Sequence, residues 1–261
     1  MAIAGSSPRP IEQSGGIRVG CAGWAVPKSS AEHFPAQGSH LERYACRFDA
    51  VEINSSFYRP HRPATYARWA ATVPEQFRFS VKMPKEITHL RRLKNVEEPL
   101  DRFLAEAGAL SGKLAVILAQ FPPSLRFDAR VVRTFLAAVR TRFTHALVCE
   151  PRHASWFDGH ADDLLAEFQA ARVAADPALV SAAGKPGGWN GFVYYRLHGT
   201  PQMYYSAYAA ETLDALADRL IAEAQRRVPV WCIFDNTALG AATENALSLG
   251  ERLQRAAMLS P

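Results

Sequence analysis

Long apolar runs are missing from this sequence. None approaches the ~20 residues that cross a bilayer, and the N-terminus M-A-I-A-G-S-S-P-R-P-I-E-Q-S-G-G has no charged segment followed by an apolar one. No membrane role is expected, and residues 1–16 read as a flexible tail. Cysteine is scarce: Cys21, Cys46, Cys149 and Cys232 lie far apart without a C-x-x-C pair. That spacing argues against a disulfide framework or zinc site and for reduced thiols in the cytoplasm. Blocks of five or six like charges are also absent, the nearest being H-L-R-R-L-K at 89–94, which reads as a solvated face. There is no G-x-G-x-x-G after the first apolar run, since G-C-A-G-W lacks the third glycine and a following helix, so a dinucleotide-binding open sheet is disfavoured. A nucleophilic serine in G-x-S-x-G and paired histidines in H-x-H or H-x-x-x-H are missing too.

What is present suffices for a substantial core: 261 residues, 48% of them hydrophobic and 21% charged. The net charge of +5 is mildly basic, favouring an anionic small molecule as partner and leaving a nucleic acid open. Eight β-rich runs recur at 17–24, 50–57, 77–83, 114–121, 146–153, 172–177, 192–199 and 228–236. Helical spacing fills most gaps, as in Leu100, Phe103, Leu104 and Ala107, in Val132, Phe135, Leu136 and Val139, and in Leu213, Leu216, Ala217 and Leu220. The exception follows the sixth strand, where S-A-A-G-K-P-G-G-W-N excludes a helix. Alternating strands and helices predict a parallel sheet, and eight units over this length predict an α/β fold of the (β/α)8 TIM-barrel type. One domain over 17–261 is expected, with the helix after strand six replaced by a loop.

Barrel enzymes keep their chemistry at the C-terminal ends of the strands. Those ends carry Glu52 and Asn54, Ser80 and Lys82, Gln120, Glu150 and Arg152 beside His153, Asp176, Arg196 and His198, and Asp235 with Asn236. The i, i+2 spacing of Glu52/Asn54, Glu150/Arg152 and Arg196/His198 aims the members of each pair to one side. Such charges either neutralise one another as an internal plug or await a charged ligand. Trp24, Tyr58 and Trp156 in the following loops are expected on the rim, where a flat ligand would stack.

The stretches G-C-A-G-W, V-E-I-N-S-S-F-Y-R, F-R-F-S-V-K with I-T-H, Q-F-P-P-S, E-P-R-H-A-S-W-F, Y-Y-R-L-H-G and F-D-N-T-A-L-G-A-A-T-E-N-A-L resemble, in order over 17–255, the YecE-like family, domain of unknown function 72. The resemblance implies a (β/α)8 barrel and no assigned activity. Two positions depart from the family's habit: Cys21-Ala22 stands where Thr-Ser is more frequent, and Asp235 where a second Asn is common.

Three functions compete at this stage. The first is an enzyme of hydrolase or lyase class acting without a cofactor on an anionic, phosphorylated or nucleotide-like substrate. In it Glu52, Glu150 and His198 would move protons, while Asn54, Lys82, Gln120, Arg152, Arg196, Asn236, Trp24, Tyr58 and Trp156 bind substrate. The second is a metal-dependent hydrolase or nuclease holding a divalent ion on Glu150, Asp176, His198 and Asp235, with His89 or His153 in reserve. The third is a non-catalytic module for nucleic acid or protein. Oligomeric state is not legible.

Overall fold

A computed structural model describes residues 16–259, so the expected N-terminal tail lies outside the described residues apart from Gly16. The strands in chain order are β1 (Ile17–Cys21), β2 (Ala50–Ile53), β3 (Arg78–Lys82), β4 (Leu114–Gln120), β5 (Ala146–Glu150), β6 (Ala170–Arg172), β7 (Ala174–Asp176), β8 (Gly187–Gly188), β9 (Val193–Leu197) and β10 (Val230–Phe234). Between them lie α1 (His40–Ala45), α2 (Pro63–Thr72), α3 (Glu97–Ala107), α4 (Ala129–Arg140), α5 (Gly159–Glu167), α6 (Ala210–Ala224) and α7 (Ala241–Leu259). The helices start where the sequence supplies a cap. Ser39 and Glu42 close a capping box on α1, Asp128 accepts from the amides of Arg130 and Val131, and Asp158 accepts from that of Ala161.

Every pairing is parallel except that of the two-residue β8, which lies antiparallel on β6. The expected sixth strand is thus two pieces, β6 on β5 and β7 on β9, joined through Val173, whose N–H donates to Cys149 O at 2.9 Å. After β7 no α-helix forms; Ser181–Gly184 make one 3-10 turn, in keeping with the Gly and Pro of that segment.

The two sheets run in the orders β2-β3-β4-β5-β6 and β7-β9-β10-β1. Where β1 meets β2 the ladder is not continuous. The Ala22–Glu52 bridge and the Gly23 N–H donating to Glu52 O at 2.9 Å are joined there by a side chain from α1. The buried Tyr44 hydroxyl accepts from Cys21 N–H at 2.8 Å and donates to Ala50 O at 3.0 Å, standing in for a direct strand-to-strand bond. Gly20 permits the approach, since a Cβ there would sit 2.3 Å from Ala50 O.

Alternation along the strands sorts the apolar residues into two clusters. Val116, Leu118, Val148, Val173, Tyr194, Trp231 and Ile233 pack together inside the ring. Their neighbours in sequence, such as Val51, Val81, Ile117, Leu147, Val193 and Phe234, pack outward with the helices. Each buried Val, Leu or Ile contributes about 1.5–3 kcal/mol, so the interior is a packed core. Its polar residues are pushed to the strand ends.

Candidate functional site

Above the apolar layer the same alternation places Glu52, Ser80, Lys82, Gln120, Glu150, Arg196 and Asp235 inward, with His198 just beyond the end of β9. Arg196 is the hub, fully buried. Its Nη2 lies 2.6 Å from Glu52 Oε1 and 2.9 Å from Asp235 Oδ2, its Nη1 3.0 Å from Glu150 Oε2, and its Nε 3.0 Å from Glu52 Oε2. Side chains from β2, β5, β9 and the residue just after β10 therefore meet at one point, joining the two sheets across a shared interior.

His198 lies between two of these carboxylates, with Nδ1 3.0 Å from Asp235 Oδ2 and Nε2 2.8 Å from Glu150 Oε1. Arg152 Nη2 is 2.6 Å from both His198 Nε2 and Glu150 Oε1. A guanidinium only donates, so Nε2 accepts from Arg152 in the neutral ring and donates to Glu150 in the imidazolium. One atom thus has a hydrogen-bond partner whether or not it carries a proton.

The remaining contacts satisfy the carboxylates. Tyr194 OH donates to Glu52 Oε2 at 2.9 Å, Gln120 Nε2 to Glu150 Oε2 at 3.2 Å, and Asn54 Nδ2 to Asp235 Oδ1 at 3.4 Å. Burial alone would raise the Glu150 carboxyl, but Arg196, Arg152 and His198 outweigh it and hold it well below the usual carboxylate range. Asp235 follows the same pattern: burial pushes it up, Arg196 and His198 pull it lower, and the net direction is down.

The cations are not equally satisfied. Every oxygen of Glu52, Glu150 and Asp235 is engaged. Arg152 Nε, by contrast, is buried with no hydrogen-bond partner among the described residues. Lys82 is only 5% exposed. Among the described residues its Nζ has no ion pair, and its one noted neighbour is the face of Phe57, 4.4 Å from the ring centroid. Burial and then Arg196 push the Lys82 amine down, Glu52, Glu150 and Asp235 pull it back, and it settles at about 8.

Other expected residues lie elsewhere. The strand β2 ends at Ile53, so Asn54 is helical in backbone and reaches Asp235 from a turn. Trp156 does not line the rim: it is fully buried on Phe121, with its indole N–H donating to Leu125 O at 2.8 Å. Past the strand end the chain turns outward, and the inward alternation no longer applies. Tyr58 is 68% exposed on the far side of Phe57, beside a cleft lined by Pro60, Pro84, Leu90 and Phe103. Trp24 packs edge-on against Trp69 and, with Gly23 and Asn54, lines an open cleft of about 490 Å³ that borders the cluster. Asn236 points away, donating to Ser206 O and Asn245 Oδ1, both at 2.9 Å.

Of the four residues of the metal alternative, Glu150, His198 and Asp235 meet, and Asp176 lies apart. Asp176 accepts from Thr200 Oγ1 at 2.6 Å and Tyr208 OH at 2.8 Å, while Arg196 and Arg152 occupy the oxygens of Glu150 and Asp235. His89 pairs with Thr88 and His153 with Ser155. Among the described residues no group of three or more His, Cys, Asp or Glu is arranged to hold a metal ion. Sequence reasoning passed over Tyr194, which shares the alternation of Arg196 and was hidden only because a buried aromatic reads as core.

A ring of parallel strands, filled with apolar side chains and carrying its ionisable groups at the C-terminal strand ends, defines a TIM-barrel-like α/β protein. The chain belongs to the family described as Protein of unknown function DUF72, which it matches over residues 18–261. It is similar to UPF0759 protein YecE of Escherichia coli (strain K12), 27% identical over 144 residues, which are 54% of this chain and 50% of that protein. It is also similar to UPF0759 protein YunF of Bacillus subtilis (strain 168), 32% identical over 113 residues, 41% of this chain and 40% of that one. The chain spans half or less of the length of these curated relatives. Among solved structures, a DUF72 family protein from Enterococcus faecalis V583 aligns at TM-score 0.73 and 24% identity, covering 94% of this chain and 98% of that one. A second, from Thermotoga maritima MSB8, aligns at TM-score 0.74 and 24% identity, covering 91% and 99%. These two support the fold alone. The expected membership and α/β class therefore hold.

Proposed function

We propose that the protein is an enzyme that draws an anionic small molecule into the strand-end cluster and acts on it by proton transfer, with hydrolysis or elimination as the reaction class. One observation carries this reading: the carboxylates of the cluster have no oxygen left to offer, while the buried Arg152 Nε has no acceptor and the amine of Lys82, itself only 5% exposed, has no ion pair among the described residues. Leaving a buried cationic donor unmatched costs about 1–3 kcal/mol or more, and an incoming carboxylate or phosphate would remove that cost. Arg152 and Lys82 would hold the anionic group. His198, set between Glu150 and Asp235, would exchange protons with the substrate. Arg196, with three carboxylates around it, would organise the cluster more than it would grip a ligand. The cleft beside Asn54 and Trp24 adjoins the cluster at Asn54, which bonds Asp235. The four unpaired thiols suit a reducing cytoplasm.

The test is a thermal-shift screen at pH 7 with inorganic phosphate, oxalate and small phosphorylated metabolites, run on the wild type and on Arg152→Gln. Stabilisation of the wild type that falls at least tenfold in apparent affinity in the variant is expected. Equal stabilisation of both proteins, or none of either, would overturn the reading.

A further inference from the structure

Lys82 differs from every other charged group in the cluster. The three carboxylates are shared out among Arg196, Arg152, His198, Asn54, Gln120 and Tyr194, yet none is given to the amine among them. A lysine kept for structure alone would take one of those oxygens, because a side chain only 5% exposed has little solvent to compensate an unpaired ammonium. Its main chain is nonetheless fixed: it lies in the β3–β4 ladder, and its carbonyl accepts from Ser56 Oγ at 2.6 Å. A held stem with an unbonded nitrogen is the arrangement of a nucleophile.

We infer that Lys82 is a covalent catalytic residue whose Nζ adds to the carbonyl carbon of an aldehyde or ketone that also bears an anionic group. The inference rests on the anionic-substrate reading above and narrows it to oxo acids and phosphorylated carbonyl compounds. In the first step the neutral amine forms an N–C bond, the carbonyl π pair moves to oxygen, oxygen takes up a proton and nitrogen gives one up. In the second the carbinolamine hydroxyl is protonated and leaves as water, and the nitrogen lone pair closes the C=N bond of an iminium. The balance is ammonium plus carbonyl giving iminium plus water, with no oxidant or reductant. The groups that face Lys82 and set its charge state are Arg196 from β9, Glu52 on β2, Glu150 on β5 with Arg152 beyond it, Asp235 after β10, and His89 in the turn after β3. Of these the carboxylates, with His198 between Glu150 and Asp235, are the ones able to exchange these protons, since a guanidinium only donates hydrogen bonds. Burial supports the assignment: with the amine at about 8, about one in ten is neutral at pH 7, against about one in 2,500 for an ordinary lysine.

The experiment is reductive trapping of the full chain with glyoxylate and borohydride at pH 7, followed by peptide mapping for the mass of the probe acid less one oxygen. Lys82 is expected to be labelled at least tenfold faster than the exposed Lys85 three residues on, and the preferential label is expected to vanish in Lys82→Arg, whose fold is checked by circular dichroism. Oxalate, which has the charge but no electrophilic carbonyl, serves as the control ligand. If oxalate stabilises the protein while glyoxylate labels Lys85 and leaves Lys82 untouched, the iminium is refuted and anion binding stands. If oxalate does nothing and Lys82 is not labelled, both readings fall.

Discussion

Replacing Arg196 by methionine removes the hub of the cluster at nearly constant length. In the native protein it faces carboxylate oxygens of Glu52, Asp235 and Glu150 at 2.6, 2.9 and 3.0 Å. With charge centres near 4 Å and an effective dielectric of about 20, each attraction is about 4 kcal/mol, or about 12 in all. Desolvating four ions costs several kcal/mol apiece, so the intact set comes out near balance. Removing the cation alone strips the attraction and leaves the carboxylates in place, for an expected loss of about 3–5 kcal/mol at pH 7. At roughly 2–4 °C per kcal/mol for a chain of this size, the melting temperature falls by about 10 °C. The pH dependence separates this from a simple packing defect. In the wild type, Glu150 and Asp235 titrate below their ordinary values, so their contribution is complete above those values and is lost as pH falls through the folded ones. In the variant the largest opposing cation is gone, only Arg152 and His198 remain against the burial of Glu150 and only His198 and Lys82 against that of Asp235, and both carboxyls move up. Where burial carries them past their ordinary values folding takes up protons, and the variant gains stability as pH drops from 7 toward 5. The gap between the two proteins should narrow by at least half over that interval in urea unfolding followed by tryptophan fluorescence. A loss below about 1 kcal/mol, or a gap that stays constant with pH, would refute the cluster as drawn.

Two further outcomes follow from the fold. Tyr44→Phe leaves Cys21 N–H and Ala50 O without the hydroxyl that joins them, and at about 1–3 kcal/mol for each of the two buried orphans it should cost about 2–6 kcal/mol; faster hydrogen exchange at Cys21 is the accompanying sign, and unchanged exchange would contradict the bridging role. Burial pushes the Cys21 and Cys149 thiols up to about 12 and Cys232 in the same direction, while Cys46 is partly exposed. A thiol reagent at pH 8 should therefore modify Cys46 promptly and the others only on unfolding, and a second fast thiol would show the packing to be looser than described.

The fold was readable because period-2 runs and 3.6-period runs alternate along the chain, and the same period-2 rule identified Glu52, Glu150 and Arg196 as inward-facing. It failed where strands stop. Asn54 reaches the cluster although it lies beyond β2, and Trp156 misses the rim because its turn folds back onto Phe121. The division of the sixth strand at Val173 has no local signature, since A-A-R-V-A-A-D holds no Gly or Pro to mark a break and pairing decides which half joins which sheet. Hydrogen-bond sharing was also out of reach: a sequence counts the charges of the cluster but does not say that Arg196 would claim three carboxylates and Lys82 none.

The place where β1 meets β2 has a mechanical consequence. Within each sheet the strands are held by ladders that fail one bond at a time, whereas at this seam, one of two between the sheets, the join depends on one phenol supplied by α1 and on the backbone of Glu52, whose side chain grips Arg196. The outer helix, the slit in the wall and the buried charges are thus linked in series. Local opening of a protein begins where few cooperative bonds must break, and such a point lies next to the cleft of Trp24 and Asn54. This seam lies beside the charged interior, so a force that loosens α1 is felt first at Glu52.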